Sequence, residues 1–341
     1  MIDVGQLNDD QLMSMVTRHT EHIQQVPYDD ESLSSLKSFS VNTNTTKLSS
    51  IKRQIEECFE LVESTGESDT GLANDVPHKL DGHIMSMSGN KCSLFSMEAC
   101  RWTEINGTFN KSLGRVDTSA VYARGSVYVF GSASATKYVR YSLGEKKCYE
   151  GDIVGVCGDQ YLAVCYDGDH NIYLVGGRVG DRLEVSTFDI DTRLFSQVGL
   201  LSLPFISAPI FYYQDCVHIV DQNNGIVSFN VKTKAIDYDF MDLELDETNS
   251  CCFDGEGNVY VLTQDTFTRC SMSTGRSTKL ADCPMETLYG KLVYDKVFGI
   301  YYIVGRGGNY RYSIKSNKWK DLEDGDPSAE RGSYGMCLIR D

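Results

Sequence analysis

The chain has 341 residues, 41% of them hydrophobic and 23% charged, which is apolar material enough for a large core beneath an ordinary polar surface. Its formal net charge of −16, with 14 acidic and 6 basic side chains in residues 1–80, leaves no basic face to displace counterions from phosphate, so nucleic-acid binding is not expected. The longest apolar run, from Gly199, is cut by Pro204 and Pro209, and the start MIDVGQLNDD lacks a basic flank; a cytoplasmic protein without membrane attachment is expected.

Residues 1–75 form an N-terminal helical segment on this reading. Leu12, Val16, His19, Ile23 and Val26 fall on one helical face, as do Leu48, Ile51, Ile55, Cys58 and Val62, with Glu56, Glu57, Glu60 and Glu63 around the second seam. Each seam runs for about three heptads, which permits weak self-association through a coiled coil, packing as a helical hairpin, or a helix lying on the repeats that follow. VNTNTTKLSS and STGESDTGLAND have linker composition. His19 and His22 lie one helical turn apart but lack a carboxylate or cysteine companion, so no metal or cofactor is expected.

From residue 76 to 341 the chain repeats. Apolar, β-branched or aromatic runs recur as IMSMSG, SVYVFG, NIYLVGG, VHIVD, NVYVLT and IYYIVG, and Ser86, Tyr128, Tyr173, His218, Tyr260 and Tyr302 are separated by 42, 45, 45, 42 and 42 residues. Each run is followed by an octet: FSMEACRW, YSLGEKKC, FDIDTRLF, FNVKTKAI, CSMSTGRS and YSIKSNKW. Short runs of this composition bounded by Gly, Asp, Asn and Ser are strands joined by tight turns. A unit reads as four strands; in the third, these are LAVCYD (A), NIYLVGG (B), EVSTFDI (C) and RLFSQVG (D). Such a sheet cannot cover its own apolar faces, and radial stacking of several makes a β-propeller.

The first unit lacks an A strand, and after the sixth D strand one surplus segment remains, SYGMCLI, Ser333 to Ile339. We therefore expect an all-β, six-bladed propeller closed by its C-terminal strand, which removes the sheet edges an open array would expose. Trp102, Phe195 and Trp319 are expected to supply bulk between adjacent blades. The 12 cysteines are scattered through strand-like runs such as LAVCYD, as buried thiols would be, and no disulfide framework is expected.

The order of an apolar B strand ending in Gly-Gly, an aromatic in strand C and a Trp six or seven residues later resembles the kelch repeat. NIYLVGG with TFDIDTRLF and IYYIVG with RYSIKSNKW carry the resemblance, which covers roughly residues 80–341; Asp221 and Thr263 replace the first glycine, and Ile236 and Ser277 the Trp. DGDHNIYLVGG also resembles a group of social-amoeba kelch-type proteins in which a B-box zinc module and a coiled coil precede the propeller. No CxxC occurs in this chain, so that zinc module is not expected. The resemblance implies a scaffold whose loops hold a protein partner.

Candidate partner contacts lie after the B strands and in the B–C loops: Lys137, Arg178, Asp181, Arg182, Asn223, Asn224, Gln264, Arg306 and Asn309. The arginines are favoured because a guanidinium grips a carboxylate in two places. Two other readings of the fold are a propeller hydrolase or metal-dependent enzyme, and an actin-associated kelch protein. No GxSxG elbow or paired histidine set supports the first, so no catalytic residue is assigned. The glycosylation acceptors at Asn44 and Asn106 are read as chance matches in a chain without a secretory leader.

Overall fold

The structure is a computed structural model that describes residues 80–340 apart from 106, 110–112, 114–115, 132–134, 160–161, 204–207, 222–223, 242, 244–247, 265 and 285–289. The expected N-terminal helices, the His19/His22 pair, and Asn44, Asn106 and Asn223 lie outside the described residues.

Six four-stranded antiparallel sheets follow one another. Blade one contains β1 (His83–Ser88), β2 (Lys91–Ser96) and β3 (Arg101–Ile105). Blade two is β4 (Ala120–Ala123), β5 (Ser126–Phe130), β6 (Lys137–Ser142) and β7 (Lys147–Asp152). Blade three is β8 (Ala163–Tyr166), β9 (Asn171–Val179), β10 (Arg182–Asp189) and β11 (Phe195–Leu201). Blade four is β12 (Ile210–Tyr213), β13 (Cys216–Asp221), β14 (Gly225–Asn230) and β15 (Ile236–Met241). Blade five is β16 (Thr248–Phe253), β17 (Asn258–Thr263), β18 (Phe267–Ser271) and β19 (Arg276–Lys279). Blade six is β20 (Lys291–Asp295), β21 (Gly299–Ile303), β22 (Tyr310–Ser313) and β23 (Lys318–Asp321). The last strand, β24 (Gly335–Ile339), returns to blade one, where Met85 pairs with Cys337 and His83 with Ile339. The innermost strands touch in the order β16, β20, β24, β4, β8, β12, and the circuit is completed by the contact of β13, beside β12, with β16. The ring is closed.

The burial of the B strands explains their continuous apolar runs. β5 is buried along its whole length and β9 from Ile172 to Gly177, because both faces of each sheet pack against a neighbouring blade. Six apolar clusters fill the six junctions. Phe95 and Trp102 of blade one meet Tyr301 and Ile303 of blade six, and Phe130 of blade two meets Phe188 and Phe195 of blade three. Trp319 packs against Phe267 across the junction of blades five and six, with ring centroids 4.9 Å apart. No disulfide forms among the described cysteines, of which Cys92, Cys165, Cys252, Cys270 and Cys337 are buried.

The recurring octet has a backbone reason as well. Its sixth residue is Cys100, Lys146, Arg193, Lys234, Gly275 or Asn317, and every one is left-handed, with φ between 49° and 65°. That conformation turns strand C into strand D. On the same side of the ring, the A–B turns DGDHN and DGEGN are held by one aspartate each. Asp167 Oδ1 accepts from the N–H groups of Asp169 and Asn171, and Asp254 Oδ1 from those of Glu256 and Asn258.

Arg340 reinforces the closure. Its guanidinium pairs with the buried Asp295 of blade six and lies 3.6 Å from Asp81 beside blade one.

Candidate functional site

Strand direction alternates within a blade, so the B–C turns and the connections from each D strand to the next A strand emerge on one face of the ring. All the described candidate residues lie at those turns. The structure divides them by what already occupies their side chains.

Three are engaged internally. The Lys137 ammonium lies 2.5 Å from Asp152 and 3.8 Å from Glu150 of the neighbouring strand; the bond to Asp152 pushes its pKa above the usual lysine value. Asn224 Nδ2 donates to Asp221 Oδ1 at 2.6 Å and closes its own turn. Asn309 is 3% exposed: Oδ1 accepts from the N–H groups of Val304 and Gly305, and Nδ2 donates to Asp324 and Asp326. These side chains hold the scaffold, and nothing in a strand-end position announces that in the sequence.

Arg178, Asp181, Arg182, Gln264 and Arg306 are exposed. The first three crown the longest B–C hairpin, β9 and β10, where residues 178–182 are exposed in succession around a turn of Gly180 and Asp181. Gly180 takes φ 63° there, as two-residue hairpin turns require. Arg178 and Arg182 make no ion pair with a described residue. Among the described residues, the Arg306 side chain reaches the carbonyl of Pro327, at 3.4 Å, and no carboxylate.

The loops around this hairpin are shaped by glycine. At Gly177, which has φ 68°, a Cβ would lie 2.6 Å from the carbonyl oxygen of Cys157, so the connection from blade two to blade three approaches the strand this closely because no side chain stands there. Glu184, 2% exposed, is satisfied beneath that connection: its carboxylate accepts from the Cys157 N–H and from the Ser186 hydroxyl at 2.5 Å. Burial and Glu184 together raise the pKa of the Cys157 thiol.

At the junction of blades six and one, the closing loop between β23 and β24 is held by buried polar groups. Arg331, fully buried, grips Asp326 through two bonds, donates to Ser86 Oγ at 3.0 Å, and lies 3.7 Å above the Trp102 ring. Beside this loop opens a cleft of about 380 Å³ lined by Lys91, Ser93 and Glu104 of blade one and by Ser328 and Tyr334 of the loop. The sequence reading passed over these residues, because a single lysine at the start of a strand carries no local signal. Among the described residues, no group of three or more His, Cys, Asp or Glu is placed to hold a metal ion.

Fold and topology define the class: a six-bladed β-propeller. No family model matches the chain, and no curated protein does. Among solved structures it is similar to a chain in a crystal structure of a nidogen/laminin complex, with a TM-score of 0.57 and 13% identity, over 75% of this chain and 98% of that one. At that identity the likeness concerns the fold alone.

Proposed function

We propose that the chain is a kelch-type interaction scaffold, acting in the cytoplasm without catalysis, that holds a protein partner on the face made by its B–C turns and interblade connections. One observation carries this reading. The β9–β10 hairpin presents five successive exposed residues whose two arginines form no ion pair with a carboxylate among the described residues, although the chain carries net charge −16. A guanidinium left unpaired amid so much acid is available to a partner's carboxylate. Arg306 and Gln264, exposed on the same face, extend the surface around the ring. That the similar nidogen/laminin structure is a complex between proteins agrees with this use of the fold.

The test is affinity capture from native extract with the full-length chain and its Arg178→Ala/Arg306→Ala variant. The double variant should melt like the parent and lose one or more captured proteins. An unchanged capture profile would remove both arginines from the binding surface.

A further inference from the structure

The cleft at blade one becomes informative when its residues are compared with their counterparts around the ring. The octets align Phe95 with Tyr141 and Phe188, so Lys91 corresponds to Lys137 in blade two and to Glu184 in blade three, and Ser93 to Val139 and Ser186. In blade two the lysine is neutralised twice from the adjacent strand, by Glu150 and Asp152. In blade three a carboxylate, Glu184, occupies this level of the sheet and accepts a hydrogen bond from the Ser186 hydroxyl. Both niches thus contain a carboxylate with a donor from strand C.

Blade one has the donors, and the carboxylate beside them in the cleft, Glu104, is not bonded to either. Lys91 is exposed and forms no ion pair with a described residue. Ser93, 7% exposed, lines the cleft, and its hydroxyl makes no hydrogen bond to a described residue. The counterpart of Glu150 is Glu104, paired with Ser93 across the ladder, yet it forms no salt bridge with Lys91. The position that Asp152 fills in the blade-two repeat is held in the blade-one sequence by the neutral Asn106. The Ser93 hydroxyl and the Lys91 ammonium border about 380 Å³ of open space, two donors within reach of an acceptor that enters the cleft.

We propose that this cleft binds an acidic peptide segment, seating one of its carboxylates on the Lys91 ammonium and the Ser93 hydroxyl. Glu104 at the rim selects a ligand that also brings a donor, such as the backbone N–H of the same segment, and disfavours a bare dianion. The inference rests on the reading of this face as the docking face and names the chemistry recognised at one point on it.

The full-length chain is titrated calorimetrically at low salt with acetyl-Gly-Asp-Glu-Gly-amide, with the neutral acetyl-Gly-Asn-Gln-Gly-amide, and with succinate. The acidic peptide should saturate, the neutral one should not, and succinate should bind more weakly than the acidic peptide. Lys91→Ala should weaken the acidic peptide by about tenfold or more, as loss of a charge-assisted bond does, and Lys91→Arg should restore most of it. Ser93→Ala should weaken it less. Absence of saturation, equal binding of the neutral peptide, or an unaltered Lys91→Ala variant overturns the proposal. Succinate binding as tightly as the acidic peptide overturns the peptide assignment in favour of a small dicarboxylate. The Arg178→Ala/Arg182→Ala variant alters no residue that lines this cleft and should bind the peptide like the parent. A null titration alongside a changed capture profile would therefore sink this site and leave the scaffold reading standing.

Discussion

Arg331 Nε and Nη2 donate to Asp326 Oδ2 and Oδ1, both at 2.7 Å, in a pair from which water is excluded. The pair sits in the loop that carries the chain from blade six to the strand that completes blade one, so it stiffens the seam where the ring is joined. Removing one partner strands the other charge in a dry environment, which costs about 3–5 kcal/mol. Asp326→Ala is therefore expected to lower stability by about that amount in urea titrations. The double change Arg331→Met/Asp326→Leu, which leaves no orphaned charge, is expected to cost less than Asp326→Ala alone.

The seam also depends on β24. Ending the chain before Ser333 removes the A strand of blade one, exposes the edge of β1, and strips Arg340 from the buried Asp295. An exposed strand edge beside an opened apolar junction invites association. The truncated chain is expected to be insoluble or partly unfolded, and a soluble, cooperatively melting product would contradict closure by this strand.

Much of this architecture was legible in the chain because a propeller repeats its signals. The B strands are apolar throughout, their period is nearly constant, and SYGMCLI is surplus at one end where an A strand is missing at the other. The octet was legible as packing through Trp102 and Trp319, and its left-handed sixth residue went unnoticed because Cys, Lys, Arg and Asn share no obvious character there. The site was less legible. Lys137, Asn224 and Asn309 resemble Arg178 and Arg306 in position along the strand, and what separates them is whether Asp152, Asp221 or Asp326 stands nearby in the fold. Arg331 could not have been singled out by position: its partners include Ser86, 245 residues away in sequence. Lys91 became notable only beside its equivalents in blades two and three.

Gly177 allows a comparison of close approach with backbone strain. Both Gly177 and Gly125 have positive φ, 68° and 71°, but a Cβ at Gly125 meets nothing within 4 Å, whereas at Gly177 it meets the Cys157 carbonyl oxygen at 2.6 Å. Alanine at either site carries the conformational cost of about 1–3 kcal/mol. Gly177→Ala should cost more, because the connection through Cys157 must also move. Thermal melts of the two variants give the difference, and mass-mapped alkylation should show Cys157 labelled faster in Gly177→Ala only. Equal melting temperatures and equal labelling would show that the connection yields freely.

His218 introduces a pH dependence of defined sign. The ring is 2% exposed, lies 5.0 Å from both Phe211 and Phe240, and its Nδ1 has no hydrogen-bond partner among the described residues. Burial pushes its pKa down from 6.5 to about 4. Above pH 6.5 the imidazole is neutral in the folded and unfolded chain alike, and its full contribution is present. As the pH falls from 6.5 towards 4 the unfolded chain takes up a proton that the folded chain refuses, so stability is lost through that window, by about 3 kcal/mol in all. His218→Phe keeps an aromatic ring between the two phenylalanines and cannot titrate. Urea titrations at pH 7, 5.5 and 4.5 should show the parent losing stability to the variant as the pH falls, while acid effects on the carboxylates cancel between the two. Parallel curves would mean that His218 is protonated within the fold and that its ring finds an acceptor there.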